Sequence, residues 1–204
     1  MNKNNTLKLL TLIITAGCGL QAYGKTEVGQ MLKTAVQPTV SIEKTSAVEN
    51  ATVTNPNSGV HGGLQTVFTL QTNETDENYD YIMTSSITLN GDTVSAYGNN
   101  GCIVFAHTTD FPTLSAVNNA KSGGSNNPNV IAYPVTVEVT SPMTSEYNLN
   151  HATYGACYVI NVNESNGGTV THSVGTTPIP NTFDVTRDSA GIYKAVVTFS
   201  AIAK

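Results

Sequence analysis

The last fourteen residues of the chain carry the clearest structural pattern in the sequence. From Gly191 to Lys204 they read GIYKAVVTFSAIAK, with apolar and polar side chains in alternation. The apolar phase consists of Tyr193, Ala195, Val197, Phe199 and Ala201. The opposite phase includes Lys194, Thr198 and Ser200. Because successive side chains of a strand point to opposite faces of a sheet, the pattern predicts a half-buried β-strand that runs to the end of the chain.

The composition favours a single all-β domain. The chain has 204 residues, enough for one domain with a proper core, and only 11% of them are charged. Thr and Asn together make up about a quarter of the chain, and they suit strands and turns respectively. The formal net charge is −5, which argues against a nucleic-acid partner because no basic surface is available to neutralise phosphates.

The first 24 residues are typical of a signal peptide. Lys3 and Lys8 supply the positive start, and Leu9–Ala16 supplies an apolar stretch that is too short to span a bilayer. Ala22-Tyr23-Gly24 then offers small residues where a signal peptidase cleaves, so the mature chain is predicted to begin at Lys25.

A lipoprotein signal is a second interpretation of the same segment. In that case Thr15-Ala16-Gly17-Cys18 would be the recognition sequence and Cys18 would carry the lipid. Thr15 stands where such sequences usually have Leu, which favours ordinary cleavage. Both interpretations predict export.

Two cysteines remain after residue 24, Cys102 and Cys157. An even pair in an oxidising compartment is most simply a disulfide, which we therefore predict. Two buried free thiols are the alternative. A metal site or a catalytic thiol is a weaker third interpretation, because neither cysteine has a neighbouring Cys or His at ligand spacing.

Residues 25–38 form a candidate N-terminal extension ahead of a β-sandwich domain at 39–204. Val28, Leu32 and Val36 share one strand phase, and Val40 and Ile42 continue it beyond Pro38. The pattern fits either an edge strand interrupted by proline or an arm followed by a first strand.

The rest of the chain reads as many short strands separated by turns, a spacing typical of a sandwich. Asn90-Gly91 and Asn166-Gly167-Gly168 each predict a hairpin between their flanking strands, whereas residues 107–129 have the pattern of a long loop that could hold one helical turn. The predicted strands are Leu64–Leu70, Tyr79–Met83, Ile87–Leu89, Thr93–Tyr97, Cys102–Ala106, Tyr133–Val139, Ala156–Val162, Thr169–Val174 and Thr182–Val185.

No pattern in the sequence indicates catalysis, and we expect neither an enzyme, a metal site nor a cofactor. An acidic cluster at residues 74–80 could hold calcium, but its spacing is not that of a calcium loop, and a solvated turn is the better interpretation. The four histidines are predicted to lie solvated in or beside loops. They are His61, His107, His151 and His172.

The C-terminus resembles that of the chaperone–usher fimbrial subunits, the pilins of Gram-negative bacteria. That family carries a glycine fourteenth from the end, then apolar residues at alternate positions and a penultimate aromatic residue. Gly191 is the fourteenth residue from this C-terminus, and the apolar phase named above follows it. Ala203 stands at the penultimate position, and Cys102 and Cys157 lie later than the family's common disulfide, so the chain would be a divergent member.

The resemblance implies an incomplete immunoglobulin-like sandwich that is completed by a donor strand. A periplasmic chaperone would supply that strand first, and the N-terminal arm of the next subunit would then supply it. An outer-membrane usher is the further partner that the resemblance implies. In that case Gly191 and the apolar phase belong to the groove strand, and Val28, Leu32 and Val36 belong to the donor strand. We therefore expect an extracellular fimbrial subunit, reached via the periplasm, with a host receptor as a further candidate partner. The alternative is a self-contained secreted or lipid-anchored β-sandwich that binds a surface carbohydrate or protein.

Overall fold

The computed structural model describes residues 35–49, 63–124, 127–164, 167–184 and 186–204. The chain divides into two units, Met1–Val36 and Gln37–Lys204. The signal segment, Cys18, Val28 and Leu32 lie outside the described residues, so their predicted roles stay predictions.

The second unit is an all-β sandwich, as predicted, and its described residues also include one α-helix. Its elements follow one another as β1 (Val40–Val48), β2 (Leu64–Thr72), β3 (Tyr79–Leu89), β4 (Asp92–Ser95), β5 (Tyr97–Gly98), β6 (Cys102–His107), α1 (Leu114–Lys121), β7 (Val130–Val139), β8 (Thr144–His151), β9 (Gly155–Asn161), β10 (Gly168–Val174), β11 (Tyr193–Lys194) and β12 (Val196–Ala203). A short 3₁₀ turn, Asn99–Gly101, separates β5 from β6.

The strands form two antiparallel sheets. The larger has the order β1-β2-β10-β7-β6-β11, with β5 also paired to β6. The smaller has the order β12-β3-β9-β8, with β4 also paired to β3. Their apolar faces pack on each other, as the edge-to-face contact between Phe68 in β2 and Phe199 in β12 shows, with ring centroids 5.8 Å apart.

The hairpin predicted at Asn90-Gly91 is present between β3 and β4. Leu89 pairs with Asp92, and Asn90 and Gly91 both have positive φ angles, 51° and 96°. A two-residue turn with positive φ at both positions matches the twist of the flanking strands, which is why Asn-Gly is favoured there.

The second predicted hairpin is wrong, because β9 and β10 lie in different sheets. β9 pairs with β3 and β8, whereas β10 pairs with β2 and β7. Gly167 instead lies close against the backbone of β2, next to the first residue of β10. A Cβ on Gly167, whose φ is +65°, would lie 2.2 Å from the carbonyl oxygen of Leu70.

The segment between β6 and β7 contains a helix of eight residues, α1, where the sequence predicted a loop with room for one helical turn. Thr113 caps it by accepting a hydrogen bond from the amide of Ala116 at 3.2 Å. Val117 and Ala120 are fully buried. The predicted strand at Thr182–Val185 is also wrong where the structure describes it, because Thr182 lies in a loop and its hydroxyl donates to the Ile179 carbonyl at 2.6 Å.

The closing segment is two strands, not one. β11 pairs with β6 in the larger sheet, and β12 pairs with β3 in the smaller sheet, with the change at Ala195. The alternation of apolar and polar residues continues from β11 into β12, because the odd-numbered residues of both strands face the interior. Phe199 is buried, and Tyr193, Ala195, Val197 and Ala201 pack partly buried against the core.

The predicted disulfide is absent. Cys102 in β6 and Cys157 in β9 are both buried, free thiols. Tyr158 crosses the sandwich, since its hydroxyl donates to the Val135 carbonyl at 3.4 Å, so Cys157 beside it faces away from the larger sheet.

Cys102 faces away from the smaller sheet in the same manner. Its neighbour Ile103 pairs with Tyr97, whose ring contacts Tyr158 across the sandwich, and the Cys102 Sγ instead lies 3.8 Å from the Lys121 carbonyl of α1. Stacked sheets are about 10 Å apart, and a disulfide needs Cα atoms within about 7 Å, so two thiols on opposite outer faces cannot be joined.

Candidate functional site: the edge strand β12

β12 is the outermost strand of the smaller sheet and pairs only with β3 among the described strands. Its register runs without a shift from Val196, paired with Ser86, to Ala203, paired with Tyr79. An edge strand of this kind presents a row of unpaired N–H and C=O groups, to which another strand can be added.

β1, at the edge of the larger sheet, is protected against such addition. Its pairing with β2 shifts between Lys44 and Ser46, which marks a bulge. Glu43 and Lys44 place charges on this edge, and the Lys44 ammonium pairs with the Glu49 carboxylate. Bulges and edge charges both disfavour strand addition.

The other described edges are short or irregular. β11 has two residues and β4 has four, and the register of β8 on β9 breaks between Asn148 and His151. β12 has eight residues, and none of them is charged or a proline. Among the described edge strands, β12 alone is both long and regular without any of these protections.

The two faces of β12 differ in burial. On the inner face Phe199 is buried, and Val197 and Ala201 are half-buried. On the outer face the side chains of Val196 and Ile202 are 59% and 37% exposed. An added strand would therefore meet apolar side chains on both sides of its backbone.

Gly191 and Tyr193 precede β12 in the chain and hold the segment that leads into it. A Cβ on Gly191 would lie 2.0 Å from Nε2 of His107, so only glycine fits against that ring. The Tyr193 ring packs edge-on against His107 with centroids 5.0 Å apart, and its hydroxyl lies 2.7 Å from the Pro128 carbonyl oxygen and 2.8 Å from that of Ser189. Burial raises the pKa of Tyr193 to about 12, so the hydroxyl stays a donor at physiological pH.

The C-terminal residue is attached to the connection between β2 and β3. The Lys204 amide donates to the Asn78 carbonyl at 3.0 Å, and its Nζ lies 3.3 Å from Oδ1 of Asp80 and donates to the Asp76 carbonyl. The acidic turn is thus paired with an ammonium group. Within the described ranges, no group of three or more His, Cys, Asp or Glu side chains could hold a metal ion.

The segment that precedes β1 is attached to the same connection. The Asn73 side chain accepts from the Thr39 amide at 2.7 Å and donates to the Gln37 carbonyl at 2.8 Å, and the Asn73 amide donates to the Thr39 carbonyl at 3.1 Å. Val36, from the predicted donor strand, is 79% exposed. Residues 37–39 and the end of β12 therefore lie at one end of the sandwich.

Two histidines are buried, contrary to the prediction. His107, at the end of β6, accepts from the Asp110 amide at 3.0 Å through Nδ1, and its Nε2 lies 3.4 Å from the Ala190 carbonyl oxygen. His172 lies within β10, between Val170 and Val174 on the inner face. That apolar phase was the sequence signal for its burial. His151 ends β8, and His61 lies outside the described residues.

Comparison with known proteins gave no match to any protein-family model, curated protein or solved structure. No helix in the described part of the chain is long and apolar enough to cross a membrane.

Proposed function

We propose that this chain is an exported structural subunit of a bacterial surface fimbria that polymerises by donor-strand exchange. The observation that carries the proposal is the β12 edge, which is long, regular and uncharged, whereas the other described edges are short, bulged or charged. Natural sheets rarely leave such an edge unless another strand is added to it.

The N-terminal extension has the chemistry of the added strand. Val28, Leu32 and Val36 share a phase that can face the half-buried Val197 and Ala201. Twelve extended residues from Lys25 to Val36 span about 40 Å, whereas the eight residues of β12 span about 26 Å at 3.3 Å per residue. One arm is thus long enough to cover the whole edge.

The direction in which the donor strand runs along β12 determines whether the assembly is an open fibre or a closed pair. The segment leading into β1 and the end of β12 lie at the same end of the sandwich. A neighbour's arm that runs antiparallel to β12 places its own domain beyond the opposite end, which gives an open head-to-tail fibre. A parallel arm would place both neighbours at one end and favour a closed pair. Fibre formation therefore requires antiparallel addition.

The remaining partners follow from the resemblance. A periplasmic chaperone would cover the β12 edge before assembly, and an outer-membrane usher would exchange it for a neighbouring subunit. Exposed loops at the fibre surface could bind a host receptor.

The proposal is tested with a variant that lacks residues 25–36. We expect it to fold with its chaperone but not to polymerise. Because a ligand that binds only the folded state stabilises it, a peptide of residues 25–36 should raise the melting temperature of the chaperone-free variant. The same peptide with Val28, Leu32 and Val36 replaced by Asp is the matched control and should have no effect. A stable monomer that is indifferent to both peptides would instead favour the self-contained β-sandwich.

A further inference from the structure

The larger sheet contains a buried histidine that strand addition does not use. His172 lies in β10, with β2 on one side and β7 on the other, and it pairs with Thr66 and Val137. Its side chain is only 2% exposed. The Tyr97 ring, which is 1% exposed, lies beside the imidazole with centroids 6.1 Å apart and planes tilted by 33°.

The imidazole is accommodated as a neutral ring. Its Nε2 has no hydrogen-bond partner among the described residues, and the same holds for the buried Tyr97 hydroxyl. Burying a polar atom is costly unless it is paired, and burying an unpaired charge is far more costly. The site therefore accommodates the neutral ring of His172, but no described residue accepts a hydrogen bond from the Nε2–H of a histidinium ion.

The surrounding elements supply no opposite charge. β2 contains no titratable residue. In β7, Glu138 pairs with Thr171 and so lies on the opposite face of the sheet, while Tyr133 shares the inner face. The rings that contact Tyr97 from across the sandwich are phenols, those of Tyr158 and Tyr147. The Cys157 thiol of β9 also acts on Tyr97, and burial raises its pKa as well. Burial raises the pKa of each of these three tyrosines well above its usual range, so they stay neutral.

We propose that His172 is an acid-sensitive element of the sandwich, whose protonation weakens the packing between the two sheets at Tyr97. Because burial lowers the pKa of His172 to about 4, the unfolded chain binds a proton more readily than the folded one. The stability that neutral His172 contributes is fully present at neutral pH. The free energy of unfolding therefore falls as the pH falls from about 6.5, the ordinary pKa of histidine, to about 4.

The test compares urea unfolding of the full-length protein and its His172→Gln variant at pH 7 and pH 4. Over this range, the His172 contribution should raise the unfolding equilibrium constant on the order of a hundredfold in the unchanged protein and vanish in the variant. His151→Gln, at the end of β8, is the matched control and should keep the full acid effect. An equal acid effect in the His172 variant would overturn the proposal.

A direct titration keeps the test decisive if the variant does not fold. The C2 proton of His172 in the unchanged protein should show no NMR shift change between pH 8 and 5.5, whereas that of a solvated histidine should titrate near 6.5. A midpoint near 6.5 for His172 in the folded protein would contradict the inference.

Discussion

A glycine and a histidine fix the course of the chain before its closing strand. Gly191 lies against the imidazole of His107, with no room for a Cβ. That imidazole cannot move aside, because its Nδ1 accepts from the Asp110 amide while its Nε2 faces the Ala190 carbonyl. The contact explains why a glycine precedes the alternating segment, which the alternation alone does not.

Gly191→Ala should therefore destabilise the domain by about 1–3 kcal/mol through overpacking. The measurement is urea unfolding, with Ile192→Ala as control, because Ile192 is 63% exposed and its truncation should change little. In a His107→Ala background the cost of Gly191→Ala should largely disappear, since the ring that meets the new Cβ is gone. The same cost in both backgrounds would mean that the two residues do not act through this contact.

At the scale of elements, local patterns predicted the strands better than their partners. The alternation around Phe199 was sufficient to predict which side chains of the strand face inward, and Asn90-Gly91 was sufficient to predict the hairpin. Strand phase and tight hairpins depend on only a few adjacent residues. The crossing from β9 to β10 and the change of sheet at Ala195 were not predictable in this way. Each depends on which distant strand is paired, and alternation is the same in either sheet.

The disulfide prediction is wrong for the same reason, because local patterns do not show which sheet a strand joins. It used the number of cysteines, whereas β6 and β9 belong to different sheets and turn both thiols outward. Burial raises the pKa of both the Cys102 and the Cys157 thiol. We expect neither thiol to react readily with a thiol reagent in the folded protein and both to react in denaturant. Mass spectrometry of the non-reduced protein should show no peptide linking them, and finding such a peptide would contradict this arrangement of strands.

At the scale of the molecule, the edges of the two sheets have opposite properties. β1 is bulged and charged, whereas β12 is regular and uncharged, and both flank the same side of the sandwich. A domain with one open and one closed edge on that side can accept a strand at one place only, which suits a linear assembly. The sequence indicated this site through the C-terminal alternation, but the contrast with β1 required the register of both strands.

Charges placed on β12 should stop assembly without unfolding the domain. The side chains of Val196 and Ile202 are exposed, so replacing both by Lys should change the stability of the monomer by less than about 1 kcal/mol. Lysines on an edge strand disfavour pairing with another chain, so polymers seen by electron microscopy and size-exclusion chromatography should become short or absent. Ser46→Lys with Val48→Lys on the already protected β1 is the matched control and should leave polymer length unchanged. If the β12 variant polymerises as well as the unchanged protein, another edge must accept the donor strand.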